Sequence, residues 1–437
     1  MSLSMNRRDF VKTASAATLG ASLYNRVLGA NERVNVAVIG CGRMGQHNIS
    51  VQNGTGLAEV IAVCDVYEPN LREGQKRAAR AQAYRDFRHI LDDKNIDAVV
   101  IATPDHWHAL MTTLACEAGK DVFVEKPAYT HLFEGRRMVQ VARRTGRIVQ
   151  VGTMQRSSPV FQNVVKIVQS GALGKISLVR TWLVGNDYPN GIGAPADCPP
   201  PADLDWDMWL GPAPMRPFNW NRFGVGDRWS TFRYFWDYAG GMMTDWGVHL
   251  LDIVLWAMKE KAPRAISAVG GKFCLNDNRE TPDTLTVAYQ FDNFIAEFTN
   301  TEANDRGIDG QGYGIQFYGT NASLICDRGG YRILPQEGGR FKRSDLPDGL
   351  PLKFSSGDGG NDAHARDFIN SIKTRNLPIS DIEIGHRSTA ISVLANLAYR
   401  TGDKLLWDAE AERAINSEKA NALLSVEYRA PWKLPHA

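Results

Sequence analysis

The stretch Val34-Asn35-Val36-Ala37-Val38-Ile39-Gly40-Cys41-Gly42-Arg43-Met44-Gly45 decides the fold. Its first six residues form a short run rich in valine and isoleucine, the signature of a buried strand. Gly40, Gly42 and Gly45 follow at once as G-x-G-x-x-G, and a helical stretch continues to about residue 54. A lone match to this pattern is weak. Here a strand precedes it, a helix follows it, and Asp65 lies twenty residues beyond Gly45 at the end of the next strand. That full context marks a dinucleotide-binding turn. Gly40 permits the tight turn, Gly42 lets a pyrophosphate approach the backbone, and Gly45 allows close helix–strand packing. The N–H groups that open the helix, from Arg43 and Met44 on, then face the phosphates.

Asp65 selects the cofactor. A carboxylate accepts hydrogen bonds from a ribose 2′-hydroxyl and repels a 2′-phosphate. Val66 and Tyr67 follow it, with no arginine, so the sequence favours NAD over NADP.

Outward from this turn, strand and helix alternate. Strands are expected at 59–65, 98–103, 121–125 and 148–152, with helices at 68–83, 108–118 and 132–145. Such alternation means a parallel sheet with right-handed crossovers. After about Thr153 the rhythm changes. A helix at 160–170 and a strand at 176–184 lead into residues 186–235, which are poor in periodicity and rich in Pro, Asp and Trp. A connection that long is usually functional. A helix at 240–258, alternating runs between 265 and 327, and helices at 361–373 and 385–400 complete the chain. The alternating runs read as an antiparallel or mixed sheet. The organisation is therefore α/β: a leader at 1–31, a Rossmann domain at 32–153, and a second α/β domain at 154–437 for substrate and oligomer contacts.

Composition bounds the partners. A net charge of +2 on 437 residues gives no case for nucleic acid or an anionic membrane. No apolar run approaches the ~20 residues of a spanning helix. The six cysteines contain no C-x-x-C pair, and no metal site is expected. Cys41 and Cys64 are expected to pack as small apolar groups. At the N-terminus, Asn6-Arg7-Arg8-Asp9-Phe10-Val11-Lys12 is a twin-arginine pattern, followed by a mild apolar stretch at 13–23. It reads as an export signal that places the protein in the periplasm; an ordinary N-terminal helix there would leave it in the cytoplasm.

Three further segments carry chemistry. Glu125-Lys126-Pro127 ends a predicted parallel strand, where ligands of open α/β sheets bind. A lysine there can place positive charge beside a developing alkoxide. In the segment from Gly240-Gly241 to Asp252, residues Asp245, His249 and Asp252 are spaced four and then three apart, so on a helix they share one face. Histidine titrates near neutrality and suits acid–base work at a carbinol, while Asp245 can hold the imidazole or a substrate hydroxyl. Thr103-Pro104-Asp105-His106-Trp107-His108 is expected as a strand-end loop beside the nicotinamide.

In this order, these segments resemble the Gfo/Idh/MocA family of sugar and cyclitol oxidoreductases, from about Arg33 to about Asp408. The resemblance implies a Rossmann domain followed by an α/β domain with an open, largely antiparallel sheet that supports a homo-oligomer, a dimer or tetramer. It implies Lys126 near the nicotinamide and the reacting hydroxyl, His249 as general acid/base, and Asp245 as its partner. Cofactor contacts are expected from Gly40, Gly42, Arg43, Met44, Gly45, Asp65, Thr103, Pro104, His106, His108, Glu125 and Lys126. Substrate contacts are expected from Lys126, Arg156, Trp236, Asp245 and His249, with Arg228 and Arg233 within conceivable reach. Trp206, Trp209, Trp220, Trp229 and Trp236 cluster in or beside the long segment; most of them are expected to pack it down.

The expected activity is hydride transfer between NAD and a ring hydroxyl or ketone of a sugar. Export adds a condition, because a cofactor carried outside the cytoplasm must be tightly bound and recycled in place. That condition raises a second reading, an NAD-dependent glycosidase working by transient oxidation and elimination. A third is a non-catalytic sugar sensor on the same scaffold.

Overall fold

The computed structural model describes residues 33–228, 230–336 and 346–436. The leader and Trp229 lie outside the described residues. The chain opens with β1 (Val34–Ile39), β2 (Ala58–Cys64), β3 (Gln82–Tyr84), β4 (Ala98–Ile101), β5 (Asp121–Val124) and β6 (Val149–Val151). They form one sheet in the order β3-β2-β1-β4-β5-β6, with every pairing parallel. Val36, Ala37 and Val38 of β1 and all of β4 are buried, as strands covered by helices on both faces must be. The strand order reverses between β1 and β4, which opens a crevice at their carboxyl ends.

The second sheet is wider. It contains β7 (Ile176–Asn186), β8 (Ala265–Gly271), β9 (Thr284–Gln290), β10 (Ile295–Thr301), β11 (Ala303–Asn304), β12 (Tyr313–Gly319), β13 (Ala322–Asp327), β14 (Gly330–Pro335), β15 (Lys353–Ser355), β16 (Leu405–Asp408) and β17 (Arg413–Ala414). The order is β15-β14-β13-β12-β7-β10-β9-β8-β16-β17, with β11 paired to β7. β7 and β10 run parallel; the other pairs are antiparallel. β9 shows why one face is covered: Leu285, Val287 and Tyr289 are buried while Thr286, Ala288 and Gln290 are exposed. The helices Pro159–Gln169, Val248–Met258 and Ile382–Thr401 lie on the covered side.

Two expectations need correction. The helix expected over 68–83 ends at Arg77, and Gln82–Tyr84 instead forms edge strand β3 against Ala62, Val63 and Cys64. Three residues are too few to carry a periodic signal. The helix expected from 240 begins as a π-helical turn, Met243–Gly247, before the α-helix Val248–Met258. Cys41 and Cys64 are buried and unpaired, as packing groups.

The long segment between 186 and 235 is strapped onto both domains. Its Leu204 bridges Tyr67, the Asp205 N–H donates to the Val66 carbonyl, and Tyr67 meets Phe223 edge-on at 5.1 Å. Trp206 and Trp209 stack at 4.7 Å and close a small core with Phe218, Phe223 and Tyr238. At the other side, the Asp187 N–H donates to the Glu302 carbonyl at 2.8 Å and the Ile192 N–H to the Asp277 carboxylate at 2.9 Å, and buried Arg279 pairs with both of those acidic residues. The segment thus roofs the crevice.

Candidate active site

The glycine turn is built of backbone. Gly40 has φ +90°, and a Cβ on it would stand 2.6 Å from the Ala102 carbonyl oxygen. A Cβ on Gly45 would stand 1.8 Å from the Gly40 oxygen, so Gly45 serves close packing and does not line the crevice. Gly42 is different. It faces the crevice, a Cβ there would meet nothing nearer than Asn70 at 3.8 Å, and it precedes the helix Arg43–Gly54 with no side-chain cap. An uncapped helix start beside an open glycine fits the pyrophosphate of a dinucleotide. Asp65 ends β2 and accepts the Cys41 N–H at 2.7 Å and the Tyr67 N–H at 2.8 Å. Burial pushes its carboxyl up to about 6 against those bonds.

A cavity of about 570 Å³ runs from this turn, past Thr103 and Pro104, to Glu125, Lys126, Asp245 and His249. That is the size range of cofactor and ligand sites. At its far end Lys126 donates to the Asp245 carbonyl at 3.0 Å and to the Asp245 carboxylate. Arg233 Nε stands 2.8 Å from the same carboxylate. Burial alone would raise the Asp245 pKa; Arg233 and Lys126 together overcome it and hold the carboxyl well below its ordinary range. His249 is buried, and its Nδ1 has no hydrogen-bond partner among the described residues. Burial, with Lys126 and Arg328 nearby, keeps its pKa well below the usual value, Asp245 opposing them only in part. The expected Asp245–imidazole hydrogen bond is not formed, because two cations already occupy the carboxylate.

Other placements correct the sequence reading. Arg156 does not reach the cavity; it forms a buried fork on Asp252 at 2.7–3.0 Å, beneath Trp256. Asp252, third member of the predicted face, is thereby a packing group, also bonded by Ser388. Trp236 lies outside the cavity and packs under Arg400 at 5.0 Å. His106 faces away as well, with Nε2 on the Trp209 carbonyl at 3.1 Å and burial pulling its pKa down to about 3. His108 lines the cavity, but its nitrogens meet the Pro127 and Thr103 carbonyls at 2.6 and 2.9 Å. Its polar atoms tie the ends of β4 and β5 together. Arg228 braces the long segment on Ile192 and Asn221. Of the tryptophans, Trp209 touches the cavity while Trp206 and Trp220 pack.

Three cavity groups escaped the sequence reading. Asp105 is buried with Oδ2 unpartnered, and burial raises its carboxyl to about 7 although Arg233 and Lys126 oppose this. Trp246 shares the His249 end, and Arg328 reaches it from the turn after β13. Asp105 and Trp246 stood inside quoted motifs, yet nothing in their spacing marked them. Arg328 had no signal at all.

Fold and cavity define a two-domain dinucleotide-binding protein of the oxidoreductase class. The chain belongs to the Gfo/Idh/MocA oxidoreductase family: residues 34–153 match its NAD-binding Rossmann fold, and residues 158–309 and 340–434 match its C-terminal α/β domain. It is similar to inositol 2-dehydrogenase 2 of Saccharopolyspora erythraea, 33% identical over 158 residues, which is 36% of this chain and 47% of that protein. It is also similar to the scyllo-inositol 2-dehydrogenase (NAD(+)) of Bacillus subtilis, 32% identical over 33% of this chain and 42% of that one. The chain thus spans about half the length of the curated relatives it matches. In fold it resembles the WlbA dehydrogenase from Bordetella pertussis, solved with NADH and UDP-GlcNAcA, with TM-score 0.64 and 18% identity over 86% of this chain and 99% of that one.

Proposed function

We propose that the protein is an NAD-dependent oxidoreductase acting on a ring hydroxyl or ketone of a sugar or sugar derivative, with His249 as acid/base. One arrangement carries this reading. A buried, unprotonated imidazole and a lysine–carboxylate–arginine cluster face the same cavity as the glycine turn. Bound along Gly40, Gly42 and Asp65, NAD supplies the hydride acceptor. His249, neutral in the resting site, takes the hydroxyl proton on a ring nitrogen. Lys126 carries three N–H donors; Asp245 engages two atoms' worth of them, and the third remains for the substrate oxygen as it gains charge. Asp245, kept ionised by Lys126 and Arg233, holds both cations in place. The inositol dehydrogenase relatives support a cyclic polyol as substrate.

The test is to incubate purified protein with NAD and a panel of sugars and cyclitols and to follow absorbance at the nicotinamide band. Turnover with at least one polyol is expected. No turnover with any of them, at full cofactor occupancy, overturns the reading; aglycone release without net NADH would move it to the transient-oxidation glycosidase. We also propose export through the twin-arginine pattern at 6–12, with the cofactor travelling tightly bound, and a homo-oligomer built on the second sheet, where Val269 and Ile295 are exposed. Cell fractionation and light scattering check these two statements.

A further inference from the structure

Arg328 is the cation of the His249 end that lacks a carboxylate. It stands in the turn between β13 and β14 and lines the cavity beside Trp246 and His249. Its Nε donates to Gln155 Oε1 at 3.1 Å. Its guanidinium lies over the Trp246 ring at 4.8 Å and the Tyr313 ring at 5.9 Å, which holds the plane in one orientation. No carboxylate among the described residues comes within ion-pair distance of it.

The nearby carboxylates are committed elsewhere. Asp327, its chain neighbour, accepts the Gly329 and Gly330 N–H groups at 2.7 and 3.2 Å and the Gln311 amide at 3.1 Å. Asp245 is shared by Lys126 and Arg233. Lys126 and Arg233 thus share one carboxylate, whose single charge offsets one of the two, while Arg328 has no carboxylate in contact and feels Asp245 only through space. Burying a guanidinium without a counter-charge is costly, and burial does draw its pKa below the ordinary value. A flat fork of N–H donors anchored through Nε, with the Trp246–Tyr313 pair supporting it from one side, is preorganised for a planar anion.

We propose that Arg328 receives a carboxylate carried by the substrate, so that the sugar taken by this site is a uronic acid or a similar acidic sugar. This rests on the oxidoreductase reading above for the chemistry, but not for the binding. A carboxylate is favoured over a phosphate because its two oxygens lie in one plane with the flat fork, whereas a phosphate is tetrahedral, and the 6-phosphate arm of the test below separates the two. The bound carboxylate would also offset the Arg328 charge felt by His249 and strengthen the imidazole as a base.

The test uses cofactor-loaded protein and three probes in each series: D-glucose, D-glucuronate and D-glucose 6-phosphate, then the galactose and mannose sets. Binding is read by calorimetry, so turnover is not needed. At least one uronate is expected to bind about 10- to 100-fold more tightly than its neutral sugar, the range for a charge-assisted pair. Arg328→Met should bring that ratio to within about threefold, and Arg328→Lys should leave an intermediate ratio, since the charge stays and the fork is lost. Uronates that bind no better than neutral sugars in the wild-type protein overturn the proposal, as does a preference that survives Arg328→Met. An Arg328-dependent preference for the 6-phosphates overturns the carboxylate assignment. Should Arg328→Met not fold, the wild-type ratio and Arg328→Lys still decide. Arg328-dependent uronate binding with no NADH formed from any polyol of the wider panel would uphold this inference and sink the oxidoreductase reading; NADH from neutral sugars without acid preference would do the reverse.

Discussion

The two ends of the cavity are made differently. The glycine-turn end comes from one continuous stretch, residues 34–45, with Asp65 added from the next strand, and most of its contacts are main chain. The His249 end gathers Lys126, Arg233, Asp245, His249 and Arg328 from segments spread over about two hundred residues, and works through charged side chains. A backbone cradle tolerates change in side chains but not in backbone space. A charge cluster tolerates backbone change less visibly, yet each member sets the charge state of the others. Substitutions at the two ends should therefore fail in different ways.

The largest separation is expected at His249. His249→Ala removes the group proposed to take the hydroxyl proton and should lower kcat by about 10²- to 10⁴-fold. NAD affinity, set at the other end, should stay within about threefold. Steady-state kinetics and a fluorescence titration with NADH read the two quantities separately; a cofactor affinity that falls along with kcat would erase the distinction between the ends.

Asp105 gives the next effect, seen in pH. Its carboxyl is raised to about 7, chiefly by burial, so between about pH 4 and 7 the folded protein holds a proton that the unfolded chain has released. The contribution is present below the ordinary carboxylate pKa and is lost as pH rises through 7. Asp245 has the opposite sign: its contribution is present above pH 4 and disappears only at much lower pH. Asp105→Asn keeps the shape and removes the titration. Urea unfolding at several pH values should show a flatter stability profile between pH 4 and 7 than the wild-type protein shows, the difference amounting to a few kcal/mol at most. Identical slopes would place Asp105 outside the charge cluster.

How much of this was legible follows the same division. The glycine turn, Asp65, the parallel sheet and all of its strands except β3 could be read from sequence, because their signals are local: a strand, a turn and a helix within twenty residues. Lys126 and His249 could be singled out because each sits in a short motif at a strand or helix end. The partners could not. Asp252 shares helical spacing with Asp245 and His249, and Arg156 is expected to reach the substrate, but the two meet each other in the core. Trp236 carries the chemistry of a sugar platform and packs under Arg400 instead. Arg328 belongs to a hairpin turn whose strand β14 had no clear pattern of its own, and only the folded sheet carries it to His249. Pairing across such distances is decided by tertiary packing, which spacing along the chain does not encode.

At the cradle, Gly45→Ala tests backbone space. The added methyl would overlap the Gly40 carbonyl oxygen, which lies 1.8 Å from the Cβ position. Only movement of the helix Arg43–Gly54 can relieve it. A loss of about 1–3 kcal/mol of stability is expected, with weaker NADH binding from the displaced helix start. Unchanged melting and unchanged NADH affinity would mean that the turn is looser than its packing indicates.

The smallest effect is expected at Asp65, where the two ends of the comparison meet in one residue. Its side chain is charged, like those around His249, but it is held by main-chain N–H groups of Cys41 and Tyr67, like the cradle. Asp65→Asn keeps an oxygen for one of those bonds and removes the negative charge that disfavours a 2′-phosphate. The preference for NAD over NADP should narrow by about tenfold, or about 1.4 kcal/mol, while kcat with NAD changes little. Parallel titrations with the two reduced cofactors measure it. If the preference is unmoved, charge is not what discriminates at this end, and selection must come from the shape of the cradle alone.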